Sequence, residues 1–302
     1  MPFDVKDKLV IAIASSALFD LQESDRIYRK QGREAYERYQ LRHEDSPLQP
    51  GVAFPFIRRL LKLNASTNDE NKRLVEVVLL SRNSANTGLR VMHSIRHHKL
   101  SITRAAFTTG KSPYPYLKSF DASLFLSADS RSVRDAIANS YTAGHVLHTD
   151  FKDDPKDLEL RIAFDFDGVL ACDDAERIFK RKGIVAFHQH EYSRACEPLN
   201  PGPLYCLMKK LGQIQRIKAS DPKARMKIRT ALITARGAPA HHRVVETLRA
   251  WGFSVNEAFF LGGMEKARVL GVYRPHMFFD DQRKHLTPAA PCVHIPLKVV
   301  NH

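Results

Sequence analysis

The sequence predicts an α/β protein built on a parallel sheet with helices on both faces, written twice along one chain. Two observations carry that reading. Short, continuously apolar runs alternate with longer stretches whose apolar residues recur at three- and four-residue spacing. In addition, Leu9 to Tyr28, LVIAIASSALFDLQESDRIY, aligns without a gap on Leu160 to Phe179, LRIAFDFDGVLACDDAERIF, at a constant offset of 151. The register continues through Gly32 on Gly183, Pro50 on Pro201 and Gly51 on Gly202. It resumes at offset 153 from Ser81 on Thr234 through Arg90 on Arg243 to Phe125 on Phe278. A nearly fixed register of that length indicates an internal duplication, with copies at 1–150 and 151–302.

The elements follow in order. In the first copy, strands are expected near 9–14 (LVIAIA), 75–81 (VEVVLLS), 104–107 and 123–127 (SLFLS). In the second they are expected near 160–165, 228–234, 257–261, 276–280 and 292–295. The stretch 239–252, PAHHRVVETLRAWG, starts with Pro and ends with Gly, as helices do. Its Val244, Val245, Leu248 and Trp251 form one apolar face. Residues 171–206 separate the first two strands of the second copy and read as a short helix pair able to cap a site. The charged DFKDDPKD segment, between Ala143 and Leu158, is expected to link the copies.

Composition narrows the function. Of 302 residues, 43% are hydrophobic and 26% charged, a globular mixture, and 47 basic against 33 acidic residues leave a net charge of +14. That excess favours anionic ligands. A nucleic-acid binder is the competing class, but the basic groups are interspersed with acidic ones and carry no recognised module. No window offers the roughly 18 apolar residues of a membrane span. The N-terminal MPFDVKDKLV lacks the order of a signal peptide. The four cysteines have no close-paired spacing and read as reduced thiols of a cytoplasmic protein.

In open α/β sheets, ligands sit at the carboxyl ends of the strands. In the second copy those ends read FDFDG, LITAR and FFDDQ, with LGGMEKARVL following the third strand. Each signal alone has a bland reading as a solvated turn or cap. Together and in order, Asp-x-Asp-Gly, Thr, Lys and Asp-Asp resemble the haloacid dehalogenase superfamily of phosphohydrolases. The resemblance implies a Rossmann-like sheet with Asp165 as nucleophile and Asp167 as general acid and base. It implies Thr234, the Ala235 amide and Lys266 as phosphate-binding groups. It also implies a magnesium site formed by Asp165, the Asp167 carbonyl, Asp280 and Asp281.

A narrower resemblance, to the type I cytosolic 5'-nucleotidases, spans nearly the whole chain in PGVAFPFIRRLL, VVLLSRNSANTGLRV, SPYPYL, TARGAPAHHRV and EAFFLGGMEKARVL. It implies magnesium-dependent hydrolysis of nucleoside 5'-monophosphates. The nearest alternative is the same chemistry on another small phosphate ester, or phosphoryl transfer to an acceptor other than water. Arg236, Phe187 and His188 are the substrate-contact candidates, with His190 beside them; packing is the competing reading for Phe187, and pairing with an acidic neighbour for Arg236. In the first copy Ala14, Ser16, Ser127 and Ala128 stand where the second has Asp165, Asp167, Asp280 and Asp281. That copy is therefore expected to be non-catalytic. Three roles are open to it: packing, oligomerisation, or holding a nucleotide effector through Ser15, Ser16, Ser81, Arg82 and Lys111.

Overall fold

A computed structural model of the chain describes residues 4–67, 69–221 and 224–297. The chain divides into two compact units, the first ending at Val146 and the second starting at Leu147.

In the first unit the elements run β1 (Leu9–Ile13), α1 (Ser15–Leu18), α2 (Gln22–Arg42), α3 (Phe54–Lys62), β2 (Val75–Ser81), α4 (Ala85–His97), β3 (Arg104–Phe107), β4 (Leu124–Ser127), α5 (Ser130–Ala138) and β5 (Ala143–Val146). Its strands are ordered β3-β2-β1-β4-β5, every pair parallel. Every residue of β1 and β2 is buried, which is why β1 reads as an unbroken apolar run and β2 as a largely apolar one, its buried Glu76 held by Arg104. Val10, Ala12, Val78, Leu80 and Phe125 form the centre of one core cluster, and α3 packs on β2. Ser84 and Thr87 close a capping box at the start of α4, and the Asp129 side chain caps α5.

The second unit runs β6 (Glu159–Phe164), α6 (Asp174–Ser193), α7 (Tyr205–Ala219), β7 (Lys227–Thr234), α8 (His241–Ala250), β8 (Glu257–Phe260), α9 (Lys266–Tyr273), β9 (Met277–Asp280) and β10 (Cys292–His294). Its parallel strands are ordered β8-β7-β6-β9-β10, the order of the first unit element for element. Ala163, Ala231, Ile233, Leu270 and Phe278 pack its core, with α7 and α9 against β7.

The helix pair expected within 171–206 is α6, one run broken at Gly183, where φ is 78° and ψ −177°. Helix α2 breaks in the same way at Gly32, with φ 79° and ψ −174°. Only glycine occupies that backbone region without strain.

Two features depart from the sequence reading. Ala143–Val146, where the sequence places the start of the linker, pairs with β4 as a strand; its AGHV is too short and too small to show a pattern. The fixed register also slips locally. The turn after the first strand of each unit is anchored by Phe19 against Pro50 in one and by Ala171 against Pro201 in the other. Since Pro50 and Pro201 keep the offset of 151 while Phe19 and Ala171 differ by 152, the turn carrying Asp167 is one residue longer.

Candidate active site

Strand β6 delivers Asp165 immediately past its last residue, and the Asp165 amide donates to the Phe279 carbonyl of β9 at 2.8 Å. The residue is buried at 3% exposure. Asp280, the last residue of β9, is fully buried beside it. Lys266, the first residue of α9, joins the two: its Nζ lies 2.8 Å from Asp165 Oδ1 and 2.7 Å from Asp280 Oδ2. Burial opposes the Lys266 ammonium, but Asp165 and Asp280 outweigh it and hold its pKa above the ordinary lysine value. Burial likewise opposes the Asp280 carboxylate, yet His285 and Lys266 keep its pKa low. Burial, then the neighbouring Asp280 and Asp167, push Asp165 up to about 7 in spite of Lys266.

Asp281 completes the cluster. Burial and the charges of Asp165, Glu176 and Asp280 push its pKa up to about 8, and its Oδ1 is buried with no hydrogen-bond partner. Gly168 makes room for it. A Cβ at position 168 would stand 2.7 Å from Asp281 Oδ2, and the backbone there has φ +71°.

These groups fit a divalent cation. Asp167 is matched by Arg236, whereas Asp165, Asp280 and Asp281, when all three are ionised, face one ammonium, Lys266, and repel one another; that repulsion and burial are what raise Asp165 and Asp281. Ligand atoms of Asp165, Asp280 and His285 all lie within 4.8 Å of one another. Like charges at that separation repel by about 3.5 kcal/mol at an effective dielectric of ~20. Two carboxylates carrying that repulsion, an imidazole nitrogen and the orphaned Asp281 oxygen together offer a divalent cation its ligands.

Thr234 ends β7, buried, and its Oγ1 accepts from the Arg236 amide at 3.1 Å. Ala235 is exposed next to it. Asp165, Thr234, Lys266 and Asp280 thus stand at or just beyond the carboxyl ends of β6, β7, β8 and β9, where a parallel sheet gathers its ligands.

The model of the 5'-nucleotidase family matches residues 1–302. The chain belongs to the 5'-nucleotidase family. It is also 37% identical over 294 residues to human cytosolic 5'-nucleotidase 1B, an alignment covering 94% of this chain and 47% of that protein. The chain therefore spans about half the length of this curated relative. No solved structure matches it.

Other residues singled out from the sequence of this 5'-nucleotidase family member occupy different settings. Arg236 is buried and engaged: Nε and Nη2 reach the two oxygens of Asp167 at 2.7 Å each, and Nη1 pairs with Glu191. It is not free for a phosphate or ribose. Phe187, at 8% exposure, packs with Ala175 and Ala240 and lies 5.4 Å from the Arg236 guanidinium. His188 is half-buried, its ring 5.7 Å from that of Phe187. His190 Nδ1 lies 3.1 Å from Glu191 Oε1.

In the first unit Ser15 and Ser81 share a hydrogen bond of 2.9 Å, while Ser16 is half-buried. Arg82 donates to Ser132 and pairs with Asp129 and Asp135, and Lys111 is exposed. Two functional candidates, Glu191 and His285, are not marked by the sequence motifs. His285 sits in a short turn with no counterpart in the duplication. Glu191 was detectable only as the charged partner of Gln40 in the aligned copies.

Proposed function

We propose that this chain hydrolyses nucleoside 5'-monophosphates through a phosphorylated Asp165, with Asp167 moving the protons. The observation that supports it most is the Lys266 ammonium bridging Asp165 and Asp280, each carboxylate at a strand end. Asp165 attacks phosphorus as the bond to the nucleoside 5'-oxygen breaks, and Asp167, entering this step in its protonated form, gives that oxygen its proton. In the second step a water attacks the aspartyl-phosphate, Asp167 takes its proton, and Asp165 is released with inorganic phosphate. Lys266 holds Asp165 in place and neutralises charge shared with the phosphoryl oxygens. Thr234 and the Ala235 amide receive those oxygens. Magnesium would be held by Asp165, Asp280, Asp281 and the Asp167 carbonyl, and bound there it supplies the positive charge that lets carboxylate and phosphate approach.

The first unit is read as a non-catalytic duplicate, because Ala14, Ser16, Ser127 and Ala128 offer neither nucleophile nor acid nor metal ligand. Its candidate roles are packing, self-association into a homo-oligomer and holding a nucleotide effector. Among the described residues no helix is long and apolar enough to cross a membrane, and the human relative is named as cytosolic; a cytosolic setting is proposed here too. The test is phosphate release from a panel of 5'-monophosphates in magnesium, with Asp165→Asn alongside. We expect turnover by the wild type and a loss of at least about a thousandfold in the variant, with unchanged circular dichroism. Turnover of the variant within tenfold of wild type would rule out Asp165 as the nucleophile.

A further inference from the structure

The second unit holds a chain of four alternating charges, three of them buried. Asp167 is gripped by Arg236 through two hydrogen bonds of 2.7 Å. Arg236 passes on to Glu191 of α6, and Glu191 Oε1 accepts from Arg243 of α8 at 2.8 Å. Arg243 Nε ends the chain on the Glu197 carbonyl at 2.8 Å. The Arg236 guanidinium lies 5.4 Å from the ring centroids of both Phe166 and Phe187. Glu191 is fully buried, and its two arginines overcome that burial and hold its pKa low.

The first unit supplies an internal control. At the same offsets Arg90 replaces Arg243, Gln40 replaces Glu191 and Ser46 replaces Glu197. Arg90 Nε donates to the Ser46 carbonyl at 3.0 Å and Nη1 to Gln40 Oε1 at 3.1 Å, the same two bonds in the same places. Even the neighbouring hydroxyls repeat: Ser94 receives the Leu48 amide as Thr247 receives that of Leu199. The arginine-to-main-chain half of the network therefore belongs to the fold. What differs is the charge. Where the acid Asp167 becomes Ser16, Arg236 becomes Asn83 and Glu191 becomes the neutral, nearly isosteric Gln40. The fold holds this corner without those three charges, and they occur only in the unit with the acid.

We propose that Arg236 and Glu191 are positioning residues for Asp167: Arg236 fixes the plane of its carboxylate, and Glu191 fixes Arg236. A forked guanidinium sets both oxygens of a carboxylate at once, which a lysine or an amide cannot do. Because Glu191 lies on α6, the inserted helix contributes to aiming the acid at the leaving oxygen. The inference rests on the role given to Asp167 above.

The test compares kcat/KM for adenosine 5'-monophosphate and p-nitrophenyl phosphate. Nitrophenolate leaves without a proton, so only the nucleotide needs a well-aimed acid in the first step. Glu191→Gln, which installs the residue of the first unit, should lower kcat/KM on the nucleotide by about ten- to a hundredfold. On p-nitrophenyl phosphate the loss should stay under about threefold. In an Asp167→Asn background, Glu191→Gln should add under about twofold, since its effect runs through Asp167. Should Glu191→Gln fail to fold, the double variant Arg236→Asn with Glu191→Gln reproduces the neutral pair of the first unit and reads the same contrast. Equal losses on both substrates, no loss on either, or full additivity with Asp167→Asn would overturn the proposal. A wild type that releases phosphate from neither substrate would instead remove the reading on which it stands, and the proposal with it.

Discussion

Asp281 is the least compensated carboxyl of the site, and it gives the metal reading a stability readout independent of turnover. Binding to the folded state alone stabilises it by about 2.7 kcal/mol at a hundredfold excess over Kd. Magnesium should therefore raise the melting temperature of chelator-treated protein by several degrees, and Asp281→Asn should shrink that rise. A melting curve indifferent to magnesium would contradict the ligand set. Gly168→Ala attacks the same point from the other side. The added methyl would meet Asp281 Oδ2 at 2.7 Å in a backbone that already disfavours it, so activity should fall at least about tenfold even where the protein stays folded. Asp165, Thr234, Lys266 and Asp280 were legible in the sequence because a parallel sheet converts strand ends into neighbours. Arg236 was legible as a site residue but not as a partner of Asp167, since 69 residues separate them and no periodicity links them.

At the scale of elements, glycine breaks and one buried acid set how α6 sits. Gly183→Ala should cost about 1–3 kcal/mol through backbone strain alone, because no heavy atom lies within 4 Å of the position a Cβ would take. Gly32→Ala in α2 should cost a similar amount, and denaturant melts of the two variants test that equivalence. Glu191 ties α6 to α8 with a pKa below its ordinary 4.5. A carboxyl depressed in the folded state contributes stability above that ordinary value and loses it as pH falls through the folded value. Glu191→Gln should therefore lose less stability than wild type between about pH 6 and about pH 3. Strands buried on both faces announced themselves as apolar runs, whereas β5 did not. Its counterpart β10 follows β9 by 11 intervening residues, against 15 between β4 and β5, where α5 intervenes; the repeat register that exposed the other strands had already lapsed.

At the scale of the whole chain, the question is what a unit of the same strand order does without its carboxylates. Packing and effector binding differ in a measurable way. If the first unit holds an anionic nucleotide, the ligand must reach Ser16, Ser81 and Lys111, because Arg82 is already paired with Asp129 and Asp135. Ser16→Asp then places a negative charge in the shorter turn that corresponds to the one carrying Asp167, without the arginine that balances Asp167 in the second unit, since Asn83 stands there instead. An unbalanced carboxylate would repel a phosphate. Hydrolysis measured against added nucleoside di- or triphosphate should show activation in the wild type and a right-shifted curve in Ser16→Asp, with basal turnover unchanged. Lys111→Ala should shift the curve in the same direction, by less, because an exposed lysine gives a screened contact worth under about 1 kcal/mol. Superimposable curves for wild type and both variants would leave the first unit without an effector role.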